Sequence, residues 1–205
     1  MTPPTSVPAS EAPIEVHPLP PFLPAGARLL MLGSFPPPRK RWSMEFYYPN
    51  LQNDMWRIVG HIFFADRNHF LLPGGKAFDR ERIARFLDER GIALYDAAYR
   101  VRRLQGNASD QHLQIVEPAD LHALLRRIPH CQAIATTGGK SMQTILRCFA
   151  LDREPPIGQY VSFSLTDGRA MRLFRMPSTS RAYPLPLEQK AEAYRTLFRS
   201  CGLLT

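Results

Sequence analysis

Short apolar runs closed by glycine, proline or a charge alternate along this chain with stretches whose apolar residues recur every three or four positions. Arg28-Leu29-Leu30-Met31-Leu32, closed by Gly33, reads as a buried strand of the kind found in parallel sheets. Beyond Asn53, Met55, Ile58, Val59, Ile62 and Phe63 share one helix face. A second helix is predicted over Asp79 to Glu89, with Ile83, Phe86 and Leu87 inward and Gly91 as its stop. Ile92-Ala93-Leu94-Tyr95 reads as the next strand, ending at Asp96. Arg100 to Gln111 has no periodicity and is expected to be a basic loop. Pro118 suits the first turn of a helix carrying Leu121, Leu124, Leu125 and Ile128. Ala133-Ile134-Ala135-Thr136 reads as a third strand, turning at Thr137-Gly138-Gly139 into a helix with Met142, Ile145, Leu146 and Phe149 inward. Tyr160 to Leu165 alternates, Thr166-Asp167-Gly168-Arg169 is a hairpin signal, and Met171 to Arg175 is the return strand. A last helix spans Leu187 to Cys201 with Ala191, Tyr194, Leu197 and Phe198 on its apolar face.

Strands alternating with amphipathic helices predict an α/β fold with a mainly parallel central sheet between helical layers. Ligands of such sheets bind beyond the carboxyl ends of the strands. The segments there are 33–53, 96–111, 137–140 and 177–183, the stretches of least regular composition. The first joins strand to helix through about twenty residues, a length that is usually functional in a compact domain.

The 205 residues, 44% of them hydrophobic, suffice for one core. Eight of the 20 prolines fall before Ala25, so residues 1–20 are expected to be a proline-rich, disordered tail and 21–205 a single domain. His17 to Leu23 is alternatively placed across the domain surface through its apolar side chains. A net charge of +8 suits a polyanionic partner, although a solvated basic surface gives the same number. No apolar run approaches the ~20 residues of a membrane span, and the first residues lack the layout of a secretion signal. A cytoplasmic monomer is expected. Cys131, Cys148 and Cys201 are widely spaced and odd in number, which suits buried thiols in a reducing compartment. The six histidines show no ligand spacing, and no metal or cofactor is expected.

Thr137-Gly138-Gly139-Lys140-Ser141 lacks the upstream glycine of a phosphate loop, where Ile134 stands. Its glycines and Lys140 either hold one phosphate at a helix N-terminus or only permit a tight turn. No Gly-x-Ser-x-Gly elbow is present. Asn53 either caps its helix or projects its amide toward the cleft; both hold only if a neighbour takes the cap. Asp54 is placed to do that, or to polarise a water. Phe46, Tyr47 and Tyr48 stand in a polar loop beside Arg39, Lys40 and Arg41. Flat rings bordered by cations suit an unstacked base and its phosphates.

Gly33-Ser34-Phe35-Pro36, Phe46-Tyr47-Tyr48-Pro49 and Asn53-Asp54-Met55-Trp56-Arg57-Ile58 together resemble the first motif of the uracil-DNA glycosylase superfamily, nearest its hypoxanthine-DNA glycosylase-like branch. Gly91 to Asp96 is similar to that branch's second strand, and Met176-Pro177-Ser178-Thr179-Ser180-Arg181-Ala182 to the superfamily's second motif, the loop that enters the duplex. The likeness runs in order from about Pro21 to Phe198. It implies a three-layer α/β/α sandwich that flips a deaminated base, uracil or hypoxanthine, out of DNA and hydrolyses its N-glycosidic bond without a cofactor. By motif position Asn53 is the catalytic residue, and Gly33, Ser34, Phe35 and Pro36 line the pocket. One of Phe46, Tyr47 and Tyr48 stacks on the base, and Asp96 sits near its pairing edge. Ser178, Thr179 and Ser180 meet phosphate, with Arg181 or Tyr183 filling the vacated stack. Better-studied branches carry Asp or Asn where Phe35 stands and His where Met176 stands, so chemistry here rests on Asn53 with Asp54 or Asp96. A DNA binder with weak or lost catalysis, and a hydrolase of free nucleosides or nucleotides, are the competing expectations.

Overall fold

The computed structural model describes residues 12–104 and 112–204. Its central sheet has five strands in the order β3-β2-β6-β8-β7: β2 (Leu29–Gly33), β3 (Ile92–Asp96), β6 (Ala133–Thr136), β7 (Tyr160–Ser164) and β8 (Ala170–Arg175). The first four in that order run parallel, and β7 closes one edge as the antiparallel arm of the predicted hairpin. Every residue of β2, β3 and β6 is buried, as a sheet covered on both faces requires.

The coverings follow from the direction of travel. The chain leaves β2 for β3 on one side, then crosses to β6 and β8 on the other. Right-handed crossovers therefore place α1 (Met55–Phe64) and α2 (Arg80–Arg90) on one face, and α3 (Leu121–Arg127) and α4 (Gly139–Cys148) on the opposite face. Ring contacts agree. Phe63 of α1 meets Phe86 of α2 at 4.9 Å and Phe198 of α5 (Leu187–Ser200) at 5.1 Å, while His122 of α3 meets Phe149 beyond α4 at 5.0 Å. This is the expected α/β/α sandwich with a mainly parallel sheet.

Local signals behave as their chemistry predicts. The Asp79 side chain accepts from the Arg82 N–H at 3.0 Å to start α2, and Gly91 ends it at φ 68°, a conformation that costs glycine little. Two regions differ. Strand β4 (Ala98–Arg103) runs into the stretch Arg100 to Gln111 expected as a loop, and Leu113–Pro118 is β5; residues 105–111 of that loop lie outside the described residues. Pro118 ends β5 rather than opening a helix, and Asp120 caps α3 by accepting from the Ala123 N–H. Register shifts in the β4–β5 pairing at Ala98/Arg100 and Arg100/Val101 break the period-two alternation. With Ala98 and Val101 alone fully buried in β4, the strand carries no apolar periodicity.

The second difference lies in the proline-rich segment. Residues 1–11 are outside the described part, but Ile14–Val16 form β1, antiparallel to β4, giving a second sheet in the order β1-β4-β5. Phe22 then pairs with Leu94 and covers the free edge of β3. Prolines bar the interior of a sheet, not its edges, so residues 12–20 lie as a strap against the domain rather than as a free tail.

Candidate active site

The long connection after β2 is pinned from within. The Trp42 indole donates to the Pro37 carbonyl, Ser43 donates to that of Pro49 through both its N–H and its hydroxyl, and the Trp56 indole donates to that of Tyr47. These bonds split the aromatic triplet. Phe46 and Tyr47 are buried, with the Tyr47 hydroxyl donating to the Pro20 carbonyl, and Tyr48 is only half-buried. Tyr48 sits at φ 50°, where a bulky residue is uncommon. Its ring lies edge-on to Trp56 and its hydroxyl lies 3.2 Å from the Thr137 hydroxyl. Burial, then the Asp96 charge, pushes the Tyr48 hydroxyl above its ordinary range, and the same causes push Tyr95 up to about 12.

This connection meets the loop after β8 along one rim. Asn53 and Ser180 form an antiparallel bridge, the Asp54 N–H donates to the Thr179 carbonyl at 2.8 Å, and the Arg181 N–H donates to that of Gln52 at 3.1 Å. Beneath the rim lies a cleft of about 1060 Å³ beyond the carboxyl ends of β2, β3, β6 and β8. Gly33, Ser34, Phe35, Pro36, Tyr47, Tyr48, Asn53, Asp96, Ser178, Thr179, Ser180, Arg181 and Tyr183 all line it. Arg41 reaches the cleft, whereas Arg39, Lys40 and Lys140 are absent from its lining. Arg39 is tied to Glu45 and lies over the Trp42 ring. The turn before α4 contributes Thr137, Gly138 and Gly139 instead. Thr179 is 2% exposed and holds the loop through its carbonyl, whereas Ser178 and Ser180 accept local N–H bonds at their hydroxyls.

Asn53 is half-buried, and its Oδ1 accepts from the Met55 N–H at 2.9 Å. The amide thus supports the start of α1 through its oxygen, while Nδ2 makes no hydrogen bond to protein among the described residues. Asp54 precedes α1 without a side-chain capping bond, so Asn53 itself supplies that contact, and Asp54 turns away from the cleft. Asp54 Oδ1 accepts from Arg181 Nε at 2.9 Å, and Oδ2 from Lys190 Nζ at 3.3 Å; the two side chains of the Asp54–Lys190 pair are 8% and 1% exposed. Lys190 also donates to the Ser180 carbonyl at 2.8 Å. This triad clamps the serine loop to α1 and α5. It also draws the Arg181 guanidinium back to the protein, leaving Tyr183 as the ring at that end of the cleft.

Asp96 is the carboxylate among the described lining residues. Gly33 faces it across the β2–β3 register, and a Cβ added there would stand 2.2 Å from Asp96 Oδ1. Only glycine leaves that oxygen its place. The other carboxylate oxygen, Oδ2, lies 2.9 Å from His17 Nε2. His17 was missed in the sequence because nothing around it marks a site: it is a lone histidine in a proline-rich stretch. Lys190 did carry a signal, a lysine on the apolar face of α5 between Leu187 and Ala191. Phe35 lies edge-on to His17 at 5.4 Å and under the Arg103 guanidinium at 5.4 Å. Met176 is buried, its N–H donating to the Thr136 carbonyl.

No group of three or more His, Cys, Asp or Glu among the described residues could hold a metal ion, and no helix there is long and apolar enough to cross a membrane.

No family model and no curated protein matches the chain. A solution NMR structure of a protein from Methanosarcina acetivorans, provisionally named a uracil DNA glycosylase, is similar over 89% of this chain and 96% of its own, at 22% identity and a TM-score of 0.61. The likeness covers nearly the whole domain, and the chain shares the fold of that protein, here an α/β/α sandwich on a mainly parallel sheet.

Proposed function

We propose that the protein is a monofunctional DNA glycosylase that takes a deaminated base, uracil or hypoxanthine, into this cleft and hydrolyses its N-glycosidic bond. The observation that carries the reading is the bridge between Asn53 and Ser180, which sets the aromatic loop and the serine loop on one rim over the cleft. Arg41 in the lining, with the exposed part of the Arg181 side chain, suits a phosphate backbone passing across that rim. Tyr48 and Phe35, both in the cleft lining, are the rings proposed to stack on an extruded base.

In the reaction the bond from C1′ to the base nitrogen breaks, its electron pair leaves with the base, and water oxygen bonds to C1′. The sugar passes through an oxocarbenium-like state, so the protein's work is to hold the base, exclude solvent and place one water. Asn53 Nδ2 is a donor free to hold a base carbonyl or that water. In this reading Asp96 receives the water's proton, since of the two candidate carboxylates it is the one in the cleft. Asp54, held by two cations outside it, serves the loop.

Oligonucleotides carrying uracil, hypoxanthine, xanthine or oxidised pyrimidines, single- and double-stranded, test the reading through abasic-site formation. Asn53→Ala is expected to abolish base release while DNA affinity stays within about threefold, since phosphate contacts dominate binding. The loss of its bond to Met55 N–H costs about 1 kcal/mol of stability. Equal turnover by the variant would remove Asn53 from the mechanism. Turnover of free nucleosides without DNA would replace the substrate class. DNA binding with no base released from any member of the panel would leave a binder.

A further inference from the structure

We infer that His17, delivered by the N-terminal strap, is a positioning residue for Asp96, and that the strap is therefore part of the active site. The inference rests on the proposed function for its chemistry, but the dyad itself stands on geometry. The His17 side chain is fully buried, and its Nε2 lies 2.9 Å from Asp96 Oδ2. An ionised carboxylate can only accept, so the ring nitrogen facing it carries the proton. Nδ1 then has a partner in either state of the ring. The Leu19 N–H donates to it at 3.2 Å when the ring is neutral, and the Leu19 carbonyl, at 2.9 Å, accepts from it when the ring is protonated.

The surroundings fix it further. Tyr95, Phe35 and Tyr47 place their rings 4.6, 5.4 and 6.2 Å from the imidazole. The His17 N–H donates to the Tyr99 carbonyl at 2.8 Å, which continues the β1–β4 pairing. Two residues before it, Glu15 accepts from Arg103 Nε at 2.9 and 3.1 Å, and Arg103 also donates to the Pro36 carbonyl at the edge of the cleft. The strap thus carries the imidazole to Asp96 and is itself fastened to the pocket loop.

Asp96 is short, buried and fixed on one side by Gly33, whose missing Cβ leaves Oδ1 its only seat. With Nε2–H on Oδ2 and Gly33 against Oδ1, the carboxylate plane is set where Asp96 lines the cleft. Without the imidazole, Oδ2 is a buried acceptor lacking its donor, and the carboxylate turns to find another.

The test uses the full chain with His17→Leu and His17→Gln. Leu keeps bulk and removes the donor, whereas the Gln amide can present an N–H to Oδ2. Single-turnover base release by His17→Leu is expected to fall ~100-fold, the scale of a displaced reacting group, with the DNA dissociation constant unchanged. His17→Gln is expected to recover at least tenfold of that loss. A His17→Leu rate equal to wild type overturns the inference. So does an equal loss in both variants that follows their melting temperatures, which marks a purely structural strap. Should His17→Leu fail to fold, nitrogen-15 NMR of the wild-type imidazole decides: a proton on Nε2 is required, and a neutral ring protonated on Nδ1 alone refutes the dyad. A wild type that releases no base refutes the glycosylase reading instead, and the imidazole spectrum separates that result from failure of the dyad.

Discussion

Removing the Asp54 carboxylate should unfold more than it inactivates. Lys190 is 1% exposed and has two recorded partners, Asp54 Oδ2 and the Ser180 carbonyl. Asp54→Ala leaves its ammonium buried with the carbonyl alone, and stranding a buried charge costs about 3–5 kcal/mol. The Arg181 end adds little, because that side chain is 42% exposed and water replaces its partner. A loss near 4 kcal/mol is a large part of the ~5–15 kcal/mol that holds a domain folded. At ~2–4 °C per kcal/mol for a chain of this size, melting should drop by roughly 8–16 °C. Lys190→Met should cost less, since Arg181 Nε still donates to Asp54. The double variant Asp54→Ala/Lys190→Met should recover much of the Asp54→Ala loss, because no charge is then stranded. Urea unfolding at constant m value, read as a double-mutant cycle, measures all three. An Asp54→Ala loss under about 1 kcal/mol, or a double variant no better than the single, refutes the argument. A catalytic Asp54 gives the reverse signature: Asp54→Asn would keep its stability and lose base release.

Gly33→Ala should lower stability by roughly 1–3 kcal/mol, the usual cost of overpacking, because its Cβ would drive Asp96 off His17; retention of full base release by a folded Gly33→Ala would refute the placement of Oδ1. Alkali should also act through the thiols. Burial pushes Cys131 and Cys201 up to about 11, against 9.0 when unfolded. Between those values the unfolded chain has released protons that the folded chain keeps, so stability is complete below pH 9.0 and falls as pH rises toward about 11. Iodoacetamide at pH 8 should accordingly modify half-buried Cys148 first. Rapid labelling of Cys131 in the native protein would contradict that burial.

Which parts of this architecture could be read from residues alone follows from how locally each is determined. β2, β3 and β6 are apolar runs because both faces of the sheet are covered, and α2 carries its cap at Asp79 and its stop at Gly91. Such elements announce themselves within a few positions. The rim was legible for another reason: the ends of parallel strands are set by topology, and the segments at those ends were the irregular ones. The β1-β4-β5 sheet was not legible. It holds itself together through pairing, the Arg103–Glu15 contact and an apolar cluster of Ala98, Val101 and Leu113, and a chain with three buried apolar residues has no period to detect. His17 belongs to the same class, since its meaning lies in a residue 79 positions away.

Phe35 and Asp96 are best understood as one arrangement. The resemblance places a water-activating Asp or Asn at position 35, where this chain has a ring instead. That ring lies against the His17 imidazole on one side and the Arg103 guanidinium on the other. A carboxylate at 35 would put a second negative charge beside the Asp96–His17 pair and compete with Glu15 for Arg103. The aromatic side chain avoids both, and it walls the imidazole from water where a polar residue would admit it. In the proposed mechanism the acid is instead Asp96 of β3, one strand over, at the residue paired in register with Gly33. A buried carboxylate at that position needs a donor behind it, and the strap brings the His17 imidazole within 2.9 Å. Strap, ring and acid therefore depend on one another: β1 is held by Arg103, Arg103 by the Pro36 carbonyl and Glu15, and Asp96 by the histidine that β1 carries.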